Sequence, residues 1–389
     1  MRHRAKVAVP LCAAVVVSTT WWFVRAPAIE HHVVVPPPDI DIDPPALRAR
    51  REAALALALT PDDPWTFAES LAASAPAPDR DADRARCGID ERPLFTDPEA
   101  GDGTNTMEPA TAPGPHSLAV RARMDAALRA SADPLDRAVA DWLDVGQMRS
   151  PSGRVDALVQ QAVVSGNAKV YALAFRTCLV DNAAPASCGG LSARRWADLD
   201  PGNGVPWLHA FDAARLANDA AGQQEALQHL ATAVRYDDYR FAAAAAVASH
   251  EPADERDLAA VSDLAVEAIG RGFGDITPVN PLFAVCANQA GGDAGRAQQC
   301  QAIADAMFDH TDSKYLHGMA AGLQFRMTGD DGRRDILLAE QAMAAKSWSP
   351  ATGFSECQQL RDTLKGILRN GQVGEIEAAR ERMRIFVTP

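Results

Sequence analysis

A chain of 389 residues with 51 acidic and 38 basic side chains carries a formal charge of −13, which repels polyanions and excludes nucleic acid and anionic lipid surfaces as partners. Hydrophobic residues make up 47% of it but aromatic residues only 6%, the balance being alanine and leucine in runs such as AALALAL (53–59) and FAAAAAVA (241–248); this helix-forming composition excludes a sheet-rich fold. The length exceeds one ordinary domain and implies two domains or an extended array of repeated units.

At the N-terminus, Arg2, Arg4 and Lys6 precede a stretch from Val7 to Val24 with no charge, 18 residues that approach the minimum needed to cross a bilayer. Residues 1–28 therefore read as a signal anchor, and Ala26-Pro27-Ala28 offers the alternative of a cleaved signal peptide. The positive flank stays inside in both cases, so the remainder is expected beyond the membrane. That places it on the bacterial inner membrane facing the periplasm, or free in the periplasm or secreted if the signal is cut. Membrane contact is expected only through this segment. Leu11 before Cys12 is too large for a lipid-attachment site. Without Arg2, Arg4, Lys6 and Arg25, the exported part holds 34 bases against 51 acids, a net −17, which steers a basic protein toward it and also keeps an alanine-rich chain soluble.

Residues 29–45, with EHHVVVPPPDIDIDPP from Glu30, read as an extended proline-rich spacer. The acids of DIDID (39–43) alternate as calcium ligands do, but the glycine and closing glutamate of such a loop are missing, and His31 and His32 read as solvated. Residues 46–115 form an N-terminal helical segment and loop. Ala46–Leu59 is helical, a second helix opens with Asp62 or Asp63 as cap and Pro64 in its first turn, and Gly88–Pro115 turns to glycine, proline, threonine and aspartate.

Residues 116–389 carry a nearly continuous helical signal. Helices are predicted over 116–132, 134–147, 153–166, 168–181, 191–199, 205–218, 222–236, 239–250, 253–271, 280–290, 293–309, 313–328, 331–347, 352–369 and 373–387. Ala297, Cys300, Ala304, Met307 and Phe308 form one expected apolar stripe, and Ile376, Ala379, Met383 and Phe386 another.

Six cysteines follow Cys12, and six allow 15 pairings. Proximity ranks Cys178 with Cys188 and Cys286 with Cys300, leaving Cys87 with Cys357. The last pair would staple an early segment to the final third, worth on the order of 4 kcal/mol in the chain-entropy picture. Buried thiols acting as small hydrophobes are the alternative. Zinc is not expected, since no pair has the two-residue spacing.

Residues 196–211, WADLDPGNGVPWLHAF, hold Leu199, Pro201 and Asn203 in a turn that ends one helix and Trp207 at the start of the next. This stretch resembles the junction between consecutive tetratricopeptide repeats. Ala210 and Ala214 share a face of the helix that follows, the turn runs over 218–222, and Ala226, Leu230 and Ala233 line the second helix. The likeness covers residues 196–236. Ala210-Phe211 stands where the family has leucine-glycine, and the two helices are spaced three residues further apart. The resemblance implies an all-α fold, an α-solenoid of paired antiparallel helices, in which the stretch is a structural joint and concave surfaces bind other proteins.

No nucleophile motif of the G-x-S-x-G type occurs, His209, His229, His250, His310 and His317 lack metalloprotease spacing, and no phosphate-cradling loop is present. His310, Asp312 and His317 read as solvated surface groups. Glu69-Ser70 is the only match to the glutamate-serine signature of lytic transglycosylases, and their downstream glycine-leucine-methionine-glutamine run is missing. No catalytic residue, cofactor or metal is expected. The expected function is protein–protein interaction in the cell envelope. One alternative is a periplasmic immunity or inhibitor protein that neutralises a basic toxin; another is an enzyme whose scattered site leaves no linear motif.

Overall fold

The computed structural model describes residues 80–89, 114–145, 152–180, 185–250, 252–273, 278–287, 294–330, 332–335, 337, 356–379 and 381. All belong to the unit formed by Asp62–Arg92 and Pro113–Pro389; the other unit, Met1–Pro61 with Pro93–Ala112, lies outside the described residues, as do the expected signal anchor, the spacer and the helices expected before residue 80. Helices account for the regular structure, no strand occurs among the described residues, and no helix there is long and apolar enough to cross a membrane.

In chain order the helices are α1 (Arg80–Arg86), α2 (Pro115–Ala130), α3 (Pro134–Val145), α4 (Ser152–Ser165), α5 (Ala168–Val180), α6 (Ala193–Leu199), α7 (Gly204–Leu216) and α8 (Ala220–Thr232). They continue as α9 (Ala242–Ala248), α10 (Leu258–Phe273), α11 (Asn280–Ala287), α12 (Ala294–Asp309), α13 (Lys314–Thr328) and α14 (Glu356–Val373), with 3₁₀ turns at Ala186–Gly190 and Glu255–Asp257. Short polar side chains start several of them by taking up first-turn amides: Ser192 accepts from Arg195 N at 3.1 Å, Asp219 from Gly222 N at 3.0 Å and Ser313 from Leu316 N at 3.4 Å. Pro115 and Pro134 open α2 and α3, where a missing amide is harmless.

Neighbours in sequence pack as α2/α3, α3/α4, α4/α5, α7/α8, α9/α10 and α12/α13. Distant helices also meet: α2 with α10, α3 with α9, α8 with α12, and α14 with α1, α9 and α10. The alanines of α9 make this convergence possible. Ala242 to Val247 are all buried, so their short side chains let α10, α3 and α14 approach one small helix from different sides. Gly371 of α14 sits where a Cβ would run into Ala245.

Cys87 is bonded to Cys357, Cys178 to Cys188 and Cys286 to Cys300, with Cα–Cα distances of 5.5, 5.6 and 5.7 Å. The last two are the pairs that proximity ranks first, and Cys87 with Cys357 is the pair they leave. Cys87 and Cys357 are fully buried between α1 and α14, where Asp83 Oδ2 accepts from Cys357 N at 3.4 Å and Ala259 N donates to Cys87 O at 3.1 Å.

Two local expectations need correction. Cys300, Ile303, Ala304 and Met307 form the buried stripe of α12, whereas Ala297 is exposed with Ala294, Gly295 and Gln298, because the first turn of the helix projects into solvent. Likewise α8 stops at Thr232 and α9 starts at Ala242, so the expected helices 222–236 and 239–250 give way to an extended segment between them. Arg235 and Tyr236 leave the helical path to pair with other joints.

Candidate functional site

Asn203, fully buried, is the N-cap of α7 and the hub of the joint between α6 and α7. Its Oδ1 accepts from Val205 N at 3.0 Å and from Asp237 N at 3.1 Å; its Nδ2 donates to Asp200 Oδ2 at 2.8 Å and to Asp237 O at 2.7 Å. One amide thus serves the helix start, its own turn and the next joint along. Gly204 follows because the Tyr236 ring occupies the place of a Cβ there.

Main-chain bonds extend this arrangement into a ladder of joints. Val234 N and Arg235 N donate to Gly202 O at 3.1 and 3.2 Å, and Gly204 N to Arg235 O at 2.9 Å. Tyr236 N donates to His310 O at 2.8 Å and Asp312 N to Tyr236 O at 3.4 Å; Glu375 N and Ile376 N both donate to Asp312 O, at 2.9 and 3.4 Å. Both isolated bridges, Asn203 with Arg235 and Tyr236 with Thr311, are parallel. Four joints therefore lie edge to edge: α6/α7, α8/α9, α12/α13 and the turn that ends α14.

Charge is concentrated along this ladder. Asp200, buried, accepts from the Arg235 guanidinium and from Tyr239 Oη at 2.7 Å. Asp238, buried, grips Arg240 through Nε at 2.7 Å and through Nη2, while Arg176 Nη1 donates to Asp238 O at 2.7 Å. Burial works against the Asp238 carboxylate, yet Arg240 and then Arg176 hold it below its ordinary value. The other acids lack such clamps. Asp237 accepts from Tyr239 N at 2.7 Å and Glu375 from Lys314 N at 3.1 Å, both main-chain donors. Burial pushes Asp237 up to about 6, reinforced by Asp238 and Asp312 and opposed by the Tyr239 amide and Lys169. Burial also raises Glu375, against Arg240 and Lys314, and raises Asp312, against Arg235. Tyr239 holds a left-handed backbone at φ 54°, which the Asp237 bond secures.

Beneath the ladder, His209 is buried in α7 with its ring 5.3 Å from Phe175 and 5.7 Å from Trp196. Burial lowers it to about 3, with Arg176 adding to the effect, so the ring is neutral.

Of the junction residues, Leu199 packs on the core, Pro201 is exposed, and Trp207 is 5% exposed with His229 stacked on it at 3.7 Å and the Arg194 guanidinium 4.9 Å from its ring. His317 is not the surface group expected: it is 2% exposed and lies 3.9 Å from the Phe308 ring, because α13 turns that face onto α12. His310 is exposed as expected. Among the described residues no group of three His, Cys, Asp or Glu side chains could hold a metal ion. A cavity of about 220 Å³ lies between α2, α3 and α10 over Leu118, Leu128, Leu143 and Leu264, and its rim charges are already paired, Arg121 with Glu267 and Asp125 and Asp144 with Arg129.

In the sequence reading one helix runs to residue 236 and the next begins at 239, leaving only Asp237 and Asp238 between them, where the structure has the extended segment from Ala233 to Phe241. No family model matches the chain, and neither a curated protein nor a solved structure matches it.

Proposed function

We propose that this chain is an exported helical-repeat protein that binds other proteins in the cell envelope, held at the bacterial inner membrane by its N-terminal segment or released into the periplasm by its cleavage. The observation that carries the reading is the set of three disulfides, one joining residues 270 positions apart, because such bonds persist in oxidising compartments and are rare in the cytosol. The helix pairs read as an α-solenoid of tetratricopeptide-like units, supported by the recurrence of joint-to-joint bonding at 203, 236, 312 and 375. A net −17 beyond the N-terminal segment favours a basic protein surface as partner. Coordination of the joint carboxylates by their own amides and guanidinium groups favours binding over catalysis as the chain's work.

The test is cross-linking in intact cells, followed by fractionation and thiol labelling of the recovered chain. Expected are envelope proteins cross-linked to it and no label on Cys87, Cys178, Cys188, Cys286, Cys300 or Cys357. Free thiols, or recovery from the cytosolic fraction, would overturn export. A single stoichiometric basic partner whose activity is blocked would replace the scaffold reading with that of an inhibitor.

A further inference from the structure

The three disulfides differ in what surrounds them. Cys87, Cys357, Cys286 and Cys300 are all buried, so a thiolate reaches either of their bonds only after helices have parted. Cys178 and Cys188 are both part-exposed. Cys178 lies in the last turn of α5, and the two residues after it, Leu179 and Val180, are large apolar side chains 54% and 58% exposed. Cys188 lies in the 3₁₀ turn Ala186–Gly190 and is followed by Gly189 and Gly190, both exposed, where an added Cβ would meet nothing within 4 Å. The bond thus has open space next to one cysteine and exposed apolar surface next to the other. We propose that Cys178–Cys188 is a thiol–disulfide exchange site, opened by a dithiol protein that seats an apolar face on Leu179 and Val180, while the other two bonds stay closed.

The exchange balances between the two reactants. A thiolate of the dithiol protein attacks Cys188 Sγ from the open glycine side; the bond to Cys178 breaks, and Cys178 leaves as a thiolate that takes up a proton. The second thiol of the dithiol protein then loses its proton and attacks its own sulfur in the mixed disulfide, releasing Cys188 as a thiolate that is protonated in turn. Two electrons pass to this chain, the dithiol becomes a disulfide, and the two protons its thiols give up match the two gained by Cys178 and Cys188. The 3₁₀ turn keeps its place through bonds that do not involve sulfur: Ser187 Oγ donates to Asp156 Oδ1 of α4, Ser192 N donates to Tyr171 Oη at 3.0 Å and Leu191 N to Cys188 O at 3.0 Å. Opening the bond therefore leaves the surrounding helices packed. The inference starts from the oxidised chain and does not depend on what the domain binds.

Reduction of the folded, oxidised full-length chain without denaturant tests it, with dithiothreitol as a small probe and a purified Cys-x-x-Cys dithiol protein as the large one. Thiols are alkylated at intervals and mapped by mass spectrometry. Cys178 and Cys188 should be labelled at least about tenfold faster than Cys87, Cys286, Cys300 and Cys357 by either reductant, with the helical circular dichroism signal unchanged once both are labelled. Leu179→Ser combined with Val180→Ser should slow the dithiol protein on the order of fivefold and leave the rate with dithiothreitol as it was, a split that a loss of packing would not produce. Labelling of all six cysteines together, earlier labelling of Cys87 and Cys357, or free thiols at Cys178 and Cys188 before any reductant is added would each overturn the exchange site. Rates with the two reductants that change together in the double variant, or that both stay the same, would overturn the apolar seat.

Discussion

Asn203 makes four hydrogen bonds in a site with no access to water, so its replacement tests how far one side chain can hold two joints. Asn203→Ala strands two main-chain amides and the Asp237 carbonyl, and at about 1–2 kcal/mol per stranded group, partly relaxed, the loss should be about 3 kcal/mol in urea denaturation. Asn203→Asp keeps both amides satisfied but sets a second carboxylate against Asp200, and should lose at least as much. A loss under about 1 kcal/mol for both variants would show that the joints are held by their main-chain bonds alone. His209 raises a different question, since its ring is neutral in the fold at every physiological pH. Its folded value lies below the unfolded one, so its contribution is complete above pH 6.5 and is lost as the unfolded chain takes up a proton below that. Between pH 7 and pH 5 the loss is roughly 2 kcal/mol, with Asp237 offsetting roughly 1 kcal/mol of it in the opposite direction. His209→Phe keeps the packing against Phe175 and Trp196, and should gain stability relative to the parent as the pH falls through this window. Parallel pH profiles for the two proteins would mean that His209 is protonated in the fold.

Among the elements, the disulfides provide an ordering that stability measurements can check. In the chain-entropy picture a crosslink stabilises more as the loop it closes lengthens, so the bond spanning 270 positions should outweigh those spanning 14 and 10. Replacing both cysteines by alanine should cost about 5 kcal/mol for Cys87 and Cys357 and about 3 kcal/mol for either of the other pairs, measured by chemical denaturation. Equal losses, or a reversed order, would place the main effect in native packing around the sulfurs. The two short-range cysteine pairs and most helix positions were legible because their signals are local: a proline or a capping serine at a start, a three- and four-residue apolar rhythm within, and cysteines close in sequence; Cys87 and Cys357 were then the pair left over. The end of α8 was not legible. Leu230, Ala233 and Tyr236 continue the helical rhythm, and what breaks it is the pull of Gly202 and His310 on the main chain of 234–236, which is a tertiary contact with no trace in the local sequence. His317 was misjudged for a related reason, since a histidine on a polar-flanked helix start shows its burial only once α12 lies across it.

At the scale of the molecule, the distribution of long-range contacts bears on how the chain unfolds. In an array whose units touch only their sequence neighbours, removing a terminal unit subtracts one interface and leaves a shorter folded array. Here α14 closes over α9 and α10, and also carries the disulfide to α1, while α9 and α10 in turn receive α3 and α2 from the other end of the unit. Loss of α14 would expose Cys87 and the face of the α9 alanine helix that Gly371 now meets, at the point where both halves of the packing converge. Truncation after Ser355 should therefore abolish the single cooperative thermal transition expected of the oxidised full-length chain, leaving a broad and early loss of helical signal in circular dichroism. Truncation that removes an end helix from a nearest-neighbour array would instead leave a sharp transition at a lower midpoint. That second outcome would mean that the contacts of α14 with α9 and α10 add little, and that the stack is held from one helix to the next along the chain.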